Sequence, residues 1–125
     1  MDDNAIIDAI GDIETALTSA GLGKIYDHVP AKPAFPCVLI TPVEPFITSG
    51  QTYLHRLVNL DVWIIPAPTP DNKALQENLY IATAKAITAL EAVSALEFDE
   101  VGQPTPVEYN QARTLAITIT INITL

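Results

Sequence analysis

The chain has 125 residues, a length that fits one domain built around one core. Hydrophobic residues make up 49%, which excludes a disordered acidic tail. Fifteen Asp and Glu against six Lys and Arg give a formal net charge of −9, and so few cations cannot form the basic patch that binding to phosphate backbones needs.

Such a charge serves solubility alone, or it suits a surface that lies beside DNA without adhering to it. No apolar run reaches membrane-spanning length, so no membrane role is expected. The opening MDDNAIIDAI lacks a positively charged segment ahead of a long apolar one and does not read as a signal peptide. A lone cysteine, Cys37, allows no internal disulfide and is compatible with a reducing compartment. Asn122-Ile123-Thr124 fits the glycosylation triplet, but without a secretory context it reads as chance.

In chain order, Ile6, Ile10, Ile13, Leu17 and Ala20 recur at steps of three and four and predict an amphipathic helix. Asp2, Asp3 and Asn4 precede it as caps, and Gly21 and Gly23 end it. Asp8 and Asp12 share a face, with Glu14 nearby, but this is the spacing of an ordinary solvated face rather than a metal site. KIYDHV then reads as a short strand, with Ile25, Asp27 and Val29 on one face and Tyr26 and His28 on the other. AKPAFP is a loop in which Pro30, Pro33 and Pro36 fix three φ angles. CVLIT is a buried strand, and PVEPFITSGQ is expected to be an arm or hairpin loop.

A long strand is predicted from about Gln51 to Ile65. Leu54, Val58, Leu60, Val62 and Ile64 face the core, while Tyr53, His55, Asn59, Asp61 and Trp63 face outward. PAPTPDN breaks it and opens a second helix, with Thr69 or Asp71 as cap and Pro70 in the first turn. The stripe of this helix is Leu75, Leu79, Ala82, Ala86 and Leu90, and alanines at 82, 84 and 86 imply close packing on a sheet. VSALEFDEVGQPTP supplies another short strand and a turn. In TLAITITINITL, Leu115, Ile117, Ile119, Ile121, Ile123 and Leu125 alternate with Thr, Ala and Asn without a break. A strand this apolar and uncharged is an aggregation template if left open, so it is expected to be paired on both sides, in its own sheet or by a neighbouring subunit. The order α-β-β-β-α-β-β predicts a single α+β domain over residues 1–125, a mostly antiparallel sheet with two helices on one face.

The reactive groups are few. An enzyme would have to use Asp27, His28 and His55, with Cys37 as a thiol. Yet Cys37 opens an apolar strand after Pro36, where a small core residue belongs. A thiol nucleophile needs a base within reach, and a metal needs three or four converging ligands. Two histidines 27 positions apart do not supply them, and strand alternation would send Asp27 and His28 to opposite faces. No phosphate loop, GxSxG or HExxH is present. No catalytic residue, cofactor or metal is expected.

Ile25, Tyr26, Asp27, Val29 and Pro30 spell an IYD-x-VP element, and after a proline-bearing gap Phe35 and Pro36 lead into the strand CVLI. This pattern, following a helix that ends near glycine, resembles the tail-terminator or tail-completion proteins of long-tailed bacteriophages. The resemblance covers residues 25 to 40 in motif and most of the chain in the order of its elements. Cys37 departs from it, standing where a tyrosine or another large residue would be expected. The resemblance implies a structural virion protein whose hexameric ring caps the tail tube, ends its polymerisation and joins the tail to a head-side connector or stopper protein. DNA would pass through the lumen without being bound. It further implies a location at the head-proximal end of the tail, after assembly in the host cytoplasm. Interface residues are expected at Tyr26, Asp27, His28, Pro30, Phe35, Pro36, Phe46 and Ile47, with Asp99 and Glu100 lining a DNA-repelling lumen. Within the same class the alternatives are a head–tail adaptor or a tube-like subunit. From another class, the alternative is a small ligand-binding or metal-dependent enzyme domain using Asp27, His28 and His55.

Overall fold

The computed structural model describes residues 3–49, 55–109 and 112–125. The chain forms α1 (Ala5–Ser19), β1 (Lys24–Tyr26), β2 (Cys37–Ser49), β3 (Arg56–Ile65), α2 (Asn72–Glu91), β4 (Leu96–Val101), β5 (Thr105–Tyr109) and β6 (Ala112–Thr124). The strands lie in the order β1-β2-β3-β6-β4, with β5 also paired to β6. Every pairing is antiparallel except that of β1 with β2. The expected α+β architecture, a mostly antiparallel sheet with two helices on one face, is the one observed.

The main core lies between the helices and one face of the sheet. Ala9, Ile13 and Leu17 of α1 and Leu79, Ala86 and Leu90 of α2 meet Val58, Leu60, Val62 and Ile64 of β3 and Ile117, Ile119, Ile121 and Ile123 of β6. Ile25, Val38 and Ile40 extend it. Each buried Val, Leu or Ile side chain contributes roughly 1.5–3 kcal/mol by leaving water, and the alanines less. β6 sits inside the sheet, flanked by β3 on one side and by β4 and β5 on the other. The perfect alternation is thus matched by pairing on both edges within one chain.

Asn4 stands at the N-cap of α1 but its side chain makes no capping bond, and the helix is followed by Gly21 at φ +72°. Gly23, at φ +95°, has no room for a side chain: a Cβ there would lie 2.4 Å from the Pro36 carbonyl oxygen. That close approach lets β1 run beside β2 and lets the Lys24 N–H donate to Pro36 O at 3.1 Å. The cap of α2 is Asp71, which accepts from the Lys73 N–H at 3.0 Å. Pro70 therefore precedes the cap instead of lying in the first turn.

Several boundaries differ from those expected. β1 ends at Tyr26, so Asp27 and His28 lie in a bend, because β1 pairs only with Cys37–Leu39 and the chain must then turn back toward Phe35. The segment expected as an arm or hairpin loop is, as far as Ser49, the second half of β2. Pairing with β3 breaks after Pro42↔Leu60 and resumes at Ile47↔Val58, so β2 carries three extra residues across this gap. The Phe35-Pro36 and Glu44-Pro45 peptide bonds are cis. β3 is described from Arg56, and the expected strand positions Gln51, Tyr53 and Leu54, with Gly50 and the cap residue Asp2, lie outside the described residues. A strand not expected, β5, forms a hairpin with β6.

Candidate assembly surface

The helix-free face of the sheet divides into two parts. One end is a second, smaller core of Cys37, Leu39, Ile65 and Ala116, against which Tyr26, Phe35, Trp63 and Val107 pack. Burial pushes the Cys37 thiol up to about 11, the direction expected when a thiolate would lose its water. Cys37 is therefore a small apolar wall of this core and is protonated at neutral pH.

The loop from residue 27 to 36 closes over that end. The Tyr26 hydroxyl accepts from the Ala34 N–H at 3.1 Å, and Pro33 is buried. Tyr26 and Phe35 are half-buried, so both shape the loop from beneath, while Pro30 is half-exposed and Pro36 is exposed. Asp27 and His28, expected on opposite faces, meet instead: Nδ1 of His28 lies 2.7 Å from Oδ1 of Asp27, with both side chains more than half exposed. The bend, rather than a strand, at these residues brings them together. The His28 ring also stands edge-on to Tyr26, with centroids 6.0 Å apart. This pair and Val29, 59% exposed, form the outer rim of the loop.

His55 does not join them. Tyr26 lies opposite Leu39, which pairs with Trp63, whereas His55 precedes Arg56, seven residues further along β3. His55 is thus eight residues from Trp63, at strand rise a separation of roughly 26 Å. Asp8 and Asp12 are exposed on α1, and among the described residues no group of three His, Cys, Asp or Glu converges as a metal site. No described helix is long and apolar enough to cross a membrane.

The other end of the helix-free face is polar. Asp61 of β3 accepts from the Thr120 hydroxyl at 2.8 Å, and the Trp63 indole N–H donates to Thr41 Oγ1 at 3.2 Å. Thr120 stands opposite Glu100 and Asn122 opposite Glu97, so two acids of β4 share this face with Asp61. Asp99 is the extra residue of a β-bulge between Phe98 and Glu100. Both Asp99 and Glu100, expected near a turn, lie within the edge strand and are exposed.

Beside this polar face, β2 carries its irregular half. Asn59 of β3 donates to the Pro45 carbonyl at 2.9 Å and to Thr48 Oγ1 at 3.3 Å, bridging the gap in the ladder. The segment so held leaves Phe46 36% and Ile47 41% exposed, next to exposed Glu44 and Pro45. Ile47 stands opposite Val58 and so lies at the margin of the helix-bearing face, where it stays partly in water with Phe46 next to it in the chain. Asn59 was readable only as an outward polar position, because its partners lie in a segment that read as a loop.

No protein-family model matches the chain, and no curated protein matches it.

Proposed function

We propose that this chain is a ring-forming structural subunit of a phage-type tail, a tail terminator that caps the tail tube, ends its growth and offers the joining surface to a head-side connector. The observation that carries the reading is the β2 arm, which leaves Phe46 and Ile47 partly in water although the sheet buries most of the other large apolar side chains of β2 and β3. Apolar groups that lie together on the surface mark a protein contact better than single ones, and Phe46 and Ile47 are neighbours in the chain. The resemblance of the Ile25–Ile40 element to tail terminators supports the same reading.

The chemistry of such a subunit is wholly non-covalent, and no cofactor or metal enters it. Six copies form the ring, with the tail tube protein on one side and the connector on the other, at the head-proximal end of the tail. Asp27, His28, Phe46 and Ile47 are exposed members of the contact set, and Tyr26 and Phe35 hold the loop in shape. Glu97 and Glu100, with Asp61 on the same face and Asp99 at the bulge, supply a wall of one sign past which DNA slides without adhering.

Electron microscopy of purified tail tubes mixed with the protein tests the proposal. Rings at one tube end, with tube length fixed thereafter, are the expected outcome. Tubes that keep growing and carry no ring overturn it. Asp99→Lys with Glu100→Lys is expected to leave rings intact and slow DNA exit.

A further inference from the structure

The inference here rests on the ring reading and names the surface that receives the arm. Between the second halves of α1 and α2 runs an open groove of about 580 Å³, walled chiefly by small apolar side chains, Ala16, Ala20, Ala84 and Ala89 among them. Lys85 is the one charged residue that lines it and also borders a separate hollow of about 230 Å³ lined by Ile81, whereas Asp12 lines a further hollow that shares Ala16, Ser19 and Ala92 with the groove. Lys85 is exposed, and among the described residues no carboxylate lies within ion-pair distance of it, whereas Lys73 pairs with Glu77 and Arg113 with Glu108. On a chain of net charge −9, an apolar groove edged by one cation favours an apolar segment that carries a carboxylate.

The chain itself contains such a segment. Glu44, Phe46 and Ile47 are consecutive or nearly so on the β2 arm and all exposed, and Glu44 has no described cationic partner. The arm does not fill its own groove, since both are open in the same molecule. We propose that the arm of one copy seats Phe46 and Ile47 in the α1–α2 groove of the next, with Glu44 facing Lys85. Arm and groove are different surfaces, so the contact is head-to-tail and propagates from copy to copy, closing into a ring when the rotation allows.

A charge exchange tests it. Sedimentation across a concentration series, alone and on tail tubes, compares the wild type with Glu44→Lys, Lys85→Glu and the double exchange. Each single reversal is expected to raise the concentration needed for assembly about tenfold or more. The double exchange is expected to recover most of the loss. Ala84→Trp, at an exposed helix position, fills the groove and is expected to abolish assembly with the helical spectrum intact. Wild-type assembly in both single variants and in Ala84→Trp overturns this contact and leaves the ring reading standing. A wild type that forms no ring, alone or on tubes, overturns the ring reading and this contact with it.

Discussion

Asn59 on β3 holds the carbonyl of Pro45 at 2.9 Å, across the gap where β2 swings away from its partner strand. The bond satisfies a carbonyl that lies in the gap of the ladder between Pro42 and Ile47. Asn59→Ala is expected to cost about 1 kcal/mol overall. Amide exchange reads the effect locally: protection should fall for residues 46–49 and stay unchanged in β6. Equal loss in both strands would mean that Asn59 supports the whole sheet rather than the arm.

Phe46→Ser combined with Ile47→Ser removes the exposed apolar groups without touching either core. The variant is expected to unfold at nearly the wild-type temperature and to fail in ring formation and tail joining. Normal rings from it would remove the arm from the contact.

Gly23 combines positive φ with a backbone oxygen where a Cβ would lie. Gly23→Ala is expected to destabilise by roughly 2–4 kcal/mol, from backbone strain and the forced shift of Pro36. Thermal unfolding measures it, and Gly11→Ala, where a Cβ meets nothing within 4 Å, is the matched control with little or no loss.

The Cys37 thiol ionises near 11 when folded and near its ordinary value of 9.0 when unfolded. Above pH 9 the unfolded chain releases this proton while the folded chain retains it, so stability falls as pH rises from 9 toward 11. The slope from this group is at most about 1.4 kcal/mol per pH unit. Urea midpoints over that range should fall more steeply for the wild type than for Cys37→Ala, and parallel curves would refute the assignment. At pH 7 the native thiol should react with a thiol reagent only as fast as the protein opens.

Removing residues 120–125 takes Ile121 and Ile123 from the main core and strips β3 and β4 of partners. The shortened chain is expected to be insoluble or unfolded. A soluble product with the full far-ultraviolet spectrum would show that β6 is less central than its pairing makes it.

What the sequence revealed depended on how local the cause was. The alternation of β6 and the stripe of α1 are short-range signals that appear in the structure, and of the two cap candidates for α2, Thr69 and Asp71, the structure uses Asp71. The stripe of α2 was read with Ala82 where Thr83 is the more buried residue, its hydroxyl donating to the Leu79 carbonyl at 2.8 Å. β5 escaped because TPVEY holds a proline and a glutamate, and it is a strand only through pairing with Ala112–Ala116. The second half of β2 was hidden by Pro42 and Pro45, which read as breakers, while the Pro45 carbonyl is held by the side-chain amide of Asn59, 14 residues away. The Asp27–His28 pair was missed because strand alternation was carried three residues too far, to Val29. The interhelical groove has no local signature, since it depends on two helices far apart in the chain.

The central position of β6 also sets the timing of folding. Asp61 and its partner Thr120 are 59 residues apart, so β3 is synthesised well before the strand that completes its inner edge. At about 5–20 residues per second the interval is roughly 3–12 seconds. During it, Val58, Leu60, Val62 and Ile64 have α1 and β2 as companions but lack the β6 isoleucines, so the nascent chain displays half a core. The acids of α1 and the arm are already attached to that intermediate, and their mutual repulsion opposes its association with other nascent chains on the same message.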